Sequence, residues 1–109
     1  MADERRKYKR KEVDLDAAFE LEGGERVDGH VKDMSLGGAF VETSQPAPFG
    51  SKIKLFVEVD GRALSVDAVV RWKSRDGMGV QFGLLGAKDT YQVTEFLARR
   101  NTIPDSRRF

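Results

Sequence analysis

Alternation of apolar and polar residues, interrupted by glycine-rich turns, constrains this chain more than any other feature. From 13 to 21 every odd position is apolar, and three of the four even positions are acidic. A period of two marks a strand with one buried face. The pattern returns at Ile53, Leu55, Val57 and Val59, then at Leu64, Val66, Ala68, Val70 and Trp72, and finally at Met78, Val80, Phe82 and Leu84. Asp60-Gly61 between two of these runs reads as a two-residue hairpin turn, and Asp76-Gly77 as a second. Glu22-Gly23-Gly24-Glu25 turns the first strand into a second over 26–32 that ends at Asp33, and a third follows over 39–43. Pro46, Pro48 and Gly50 place a loop before the fourth.

Only the C-terminus changes period. Asp89 is a candidate helix cap with Gln92 completing a capping box, and Tyr91, Val93, Phe96 and Leu97 supply an apolar stripe. Arg99-Arg100 would complement the helix dipole. The expectation is an all-β domain with a C-terminal helix, its six antiparallel strands closing into a barrel that leaves no open edges. At 109 residues the chain holds one compact core. Residues 1–12 read as a flexible basic loop, 13–100 as barrel plus helix, and 101–109 as a loose basic tail.

Composition removes several functions. There is no cysteine, so no disulfide, zinc-thiolate site or thiol nucleophile, and a single histidine disfavours metal sites and histidine relays. No run approaches 18 apolar residues and the N-terminus is charged, which predicts a cytoplasmic protein without membrane insertion. Paired carboxylates, a serine–histidine arrangement and a dinucleotide fingerprint around Gly23-Gly24 are lacking, so catalysis is not expected. The net charge of +1 is unevenly spread. Residues 1–12 carry six Lys/Arg against three Asp/Glu, and 99–109 carry four arginines against Asp105. The middle, with nine basic and fourteen acidic residues, argues against wrapping by nucleic acid.

Two short motifs stand apart from the scaffold. Arg6-Lys7-Tyr8-Lys9-Arg10 sets two arginines four apart before the first strand, and Asp33-Met34-Ser35-Leu36-Gly37-Gly38 forms a polar turn after the second. Arginine presents a planar fork that grips phosphate or the O6 and N7 acceptors of guanine. Aspartate accepts from guanine's N1–H and N2–H₂, a serine hydroxyl donates or accepts, and glycine admits a close backbone approach. Jointly these residues suit an anionic guanine compound, whereas each motif alone is common.

In this order and on this strand plan, the chain resembles the PilZ domain family, bacterial receptors for the second messenger cyclic di-GMP. That family carries Arg-x-x-x-Arg in an N-terminal loop and Asp/Asn-x-Ser-x-x-Gly on the barrel. Arg6, Arg10, Asp33, Ser35 and Gly38 match all five positions. Ser-Leu-Gly-Gly-Ala-Phe (35–40), Pro-Phe-Gly (48–50), Val-Val-Arg-Trp (69–72) and Gly-Met-Gly-Val-Gln-Phe (77–82) look like family blocks, so the resemblance covers about 5–98.

The resemblance implies a six-stranded PilZ-like barrel. In it Arg6 and Arg10 clamp guanine edges and phosphates, while Asp33, Ser35, Gly37 and Gly38 hold a base against the wall. It implies no metal or other cofactor. Arg5, preceding the first motif arginine, implies a stacked, intercalated cyclic di-GMP dimer. Trp72 either flanks a base or packs in the core, and His30 reads as structural or superficial. The functional reading is a receptor that changes conformation on binding and regulates an unidentified downstream protein, as a monomer or weak homodimer. Two rivals are a PilZ-type adaptor in pilus or motility control that binds no nucleotide, and a single-stranded nucleic-acid binder. The complete motifs oppose the former and the acidic body the latter.

Overall fold

The computed structural model describes residues 9–102. Six strands, β1 (Lys11–Leu21), β2 (Arg26–Met34), β3 (Gly38–Glu42), β4 (Lys52–Val59), β5 (Arg62–Lys73) and β6 (Gly77–Phe82), precede one helix, α1 (Ala87–Ala98). All pairings are antiparallel, and they close a barrel in the order β1-β2-β3-β6-β5-β4. The alternation explains most of it. Phe19, Val31, Val41, Leu55, Val59, Val70 and Met78 point inward and are fully buried. Asp60 and Gly61 both adopt positive φ (51° and 81°), the backbone that a two-residue turn between right-twisted strands requires. The order is not a simple meander. After β3 the chain crosses through Gln45–Gly50 to reach β4, which pairs with β1 and β5.

The helix caps the core with Val93, Phe96 and Leu97. It begins two residues before the expected cap. Gly86 is the N-cap and makes no side-chain hydrogen bond; Asp89 lies in the first turn, where its charge suits the dipole, and pairs with Arg62 at 3.2 Å. Tyr91 is 68% exposed rather than part of the stripe, because two residues on a helix turn about 200° from Val93. Arg99 is the C-cap and the last turn holds no base, while the Arg100 guanidinium lies 4.1 Å over the Phe96 ring.

The first strand starts at Lys11, inside the expected 1–12 loop. Asn101 and Thr102 are pinned to it: Glu12 N–H donates to Asn101 O at 2.9 Å, and Thr102 bridges Lys11. Among the described residues no helix is long and apolar enough to cross a membrane, and no group of three His, Asp or Glu is placed to hold a metal ion.

Candidate functional site

Three irregularities in the barrel converge on one band of its outer wall. Val31 and Met34 face the core, so unbroken alternation from Val31 would turn Asp33 inward. Instead β2 holds an extra residue opposite β3: Val31 registers with Val41, but Asp33 with Phe40. The same stretch is irregular against β1, where the register shifts between Glu12 and Leu15. On β5, Val70 registers with Val80 and Trp72 with Gly79, leaving Arg71 as the extra residue. Bulges re-aim side chains in this way. Asp33 and Trp72 therefore both leave the inward series, and Trp72 is not a member of the core stripe to which its spacing assigns it.

The result is a row across five strands: Glu12, Asp33, Phe40, Gly79 and Trp72 in successive register. Phe40 lies on the outer face because its neighbours Ala39 and Val41 fill the core. Its ring stacks on Trp72 with centroids 5.4 Å apart and planes 20° apart. The indole lies across Gly79, where an added Cβ would come within 2.1 Å of Trp72 Nε1. A glycine at this position is what allows two aromatics from strands on either side to meet over β6.

Arg10 reaches the row from the N-terminal side. Its Nε donates to Asp33 Oδ1 at 2.9 Å, and its Nη2 donates to the same oxygen. Asp33 is only 4% exposed, so this carboxylate is compensated by the guanidinium rather than by bulk water. Arg10 engages one carboxylate oxygen and leaves Oδ2 out of the pair.

The Ser35–Gly38 turn joins the row at β3. Ser35 Oγ accepts from Gly37 N–H at 3.0 Å, and Ser35 N–H donates to Gly38 O at 2.8 Å. Gly37 O accepts from Phe82 N–H, which ties the turn to β6. An added Cβ on Gly38 would sit 2.2 Å from Val80 O, so this position needs glycine for close packing between strands. Ser35 is 6% exposed, and its hydroxyl shapes the turn from within.

The structure thus brings together Arg10, Asp33, Ser35, Gly37, Gly38 and Trp72 on one wall. Arg5 and Arg6 lie outside the described residues. Phe40 escaped sequence reasoning. Its signal was an apolar residue on the outward parity of β3, where a solvated barrel wall calls for a polar one. His30 lies on the adjoining outer surface, bonded through Nε2 to Asp14 and 3.2 Å from Asp16 Oδ1 through Nδ1. The His30 bond, with Lys32 3.7 Å away, holds the Asp14 carboxyl below its ordinary range. Chemically, the wall offers a guanidinium, a carboxylate acceptor and a flat aromatic pair, the donors and surfaces that suit a planar, anionic heterocycle.

Comparisons with known proteins agree on the fold. The PilZ domain of CeSA from a cellulose-synthesizing bacterium superposes with a TM-score of 0.69 at 20% identity, covering 82% of this chain and 94% of that one. The PilZ domain of YcgR from Escherichia coli, solved with c-di-GMP, gives 0.69 at 19% identity over 86% and 89%. The inhibitor of motility MotI/DgrA of Bacillus subtilis gives 0.69 at 24% identity; 89% of this chain is covered but only 54% of that one. Among curated proteins no sequence match was found. The PilZ domain family model matches residues 4–99, nearly the whole chain. This barrel, with its Arg10–Asp33 pair and Ser35–Gly38 turn in register, belongs to the PilZ domain family.

Proposed function

We propose that this PilZ domain is a receptor for cyclic di-GMP, not an enzyme, and that it passes the presence of the messenger to a partner protein. The observation that carries the reading is the outer row itself: Arg10 paired with Asp33, beside the Phe40–Trp72 stack and the Ser35–Gly38 turn. Guanine offers O6 and N7 to an arginine fork, N1–H and N2–H₂ to a carboxylate, and a π face to the aromatics. Two phosphates on the ring account for the basic N-terminal residues, with Arg5 and Arg6 as further forks. Support comes from YcgR, whose PilZ domain was solved with c-di-GMP, and from MrkH of K. pneumonia, solved as a c-di-GMP complex.

Arg5 beside Arg6 favours two stacked nucleotides per chain. The partner's class follows only from the relatives, of which one inhibits motility and another is a c-di-GMP-dependent transcription regulatory factor. A cytoplasmic setting suits a cysteine-free chain that reads a nucleotide messenger.

Trp72 is the sole tryptophan, which makes the site its own reporter. Titration with cyclic di-GMP should change its emission in a saturable manner, at two nucleotides per chain, with GTP giving no comparable change. Unchanged emission together with no retention of ligand in equilibrium dialysis would reject the reading in favour of an adaptor that binds protein alone.

A further inference from the structure

β5 carries an arginine outside both motifs, at the end of the row remote from Arg10. Arg71 is the extra residue of the β5 bulge and immediately precedes Trp72. It is exposed, and its Nε donates to Gln81 Oε1 at 2.8 Å. Gln81 in turn registers with Gly38, the last residue of the Ser35–Gly38 turn. Gln81 thus holds this guanidinium on the strand position opposite the motif glycine, while Arg71 itself adjoins Trp72 in the chain.

Charge gives the arrangement a purpose. β3 and β6 contain no lysine or arginine. Arg10 is matched by Asp33, with the Glu12 carboxylate next in register. The Trp72 end of the wall would have little positive charge to offer a dianionic ring without the bases of β5. A guanidinium already held through Nε also loses less side-chain freedom on binding than an untethered one.

We infer that Arg71, positioned by Gln81, is a ligand-binding and specificity-determining residue of this site, gripping a paired acceptor edge of the nucleotide on the Trp72 side. That edge is either two phosphate oxygens or the O6 and N7 of a guanine; both present adjacent acceptors to the Nη groups. The inference rests on the cyclic di-GMP reading and adds a third anchor to it.

The test is calorimetry of the full chain with cyclic di-GMP, comparing the native protein with Arg71→Ala, Arg71→Lys, Gln81→Ala and Arg62→Ala. Arg62 lies on the same strand but pairs with Asp89, so its loss serves as a control. Arg71→Ala should weaken binding about tenfold or more, the scale of a lost bidentate contact. Arg71→Lys should recover little of it, Gln81→Ala should show a smaller loss, and Arg62→Ala should match the native chain. A reduced salt dependence in Arg71→Ala would identify phosphate as the acceptor, and an unchanged one guanine. Folded Arg71→Ala or Arg71→Lys binding like the native chain would overturn the inference and leave the receptor reading standing. Failure of the native chain to bind would overturn both.

Discussion

Gly79 has no side chain because the Trp72 indole occupies the space that a Cβ would need, 2.1 Å from Nε1. Gly79→Ala should displace the indole from Phe40, cost about 1–3 kcal/mol in urea unfolding, and shift the tryptophan emission. Arg10→Ala leaves a buried carboxylate without its guanidinium, so it should destabilise the ligand-free protein by about 1–3 kcal/mol, also read by urea unfolding. Much of that loss should return in the Arg10→Ala/Asp33→Ala double variant. Asp14 supplies a pH prediction. His30 foremost, then Lys32, lowers its folded pKa below the unfolded value. Its contribution to stability is therefore complete above the ordinary carboxylate range and disappears as pH falls through the lowered value. In His30→Ala, NMR titration should find the Asp14 carboxyl moved back upward. At this scale the sequence revealed residue types and not their aim: Asp33 was recognisable from its motif, yet neither its outward direction nor its pairing with Arg10 is written in the spacing.

The strands were legible because burial of one face imposes a period of two, and the Asp60-Gly61 turn because few other residues accept two positive φ angles. Bulges defeat that logic. One extra residue reverses the parity of everything after it, and no residue type in Val-Val-Arg-Trp announces the insertion. Trp72 therefore falls on the core parity by spacing alone yet stands outside the core. Of the two roles the sequence left open for it, packing in the core is not the one it takes. The helix was found and its start missed, since Asp89 is a better cap by composition than Gly86, yet the chain is already helical at Ala87. Its two large aromatics should separate cleanly in urea unfolding. Phe96→Ala, 1% exposed, should cost about 3–5 kcal/mol, whereas Tyr91→Ala should fall within about 0.5 kcal/mol of the native chain.

Closure was foreseeable as the remedy for open edges, but the strand order was not, because alternation fixes faces and says nothing about neighbours. The crossover after β3 puts β4 between β1 and β5, and the segment after α1 returns to β1 through Asn101 and Thr102. Lys11 Nζ also donates to Arg100 O at 3.4 Å, so the two ends of the described chain meet one residue from Arg10. The wall bearing the candidate site is consequently framed by the start of β1 and the end of the fold. The most direct test of the whole account is calorimetric titration of the full chain with cyclic di-GMP, beside the folded Arg6→Ala/Arg10→Ala variant. Saturable binding to the native chain at two nucleotides per protein, weakened well over tenfold by the double substitution, is the predicted result. A flat trace from folded native protein, or equal binding by both chains, would contradict it.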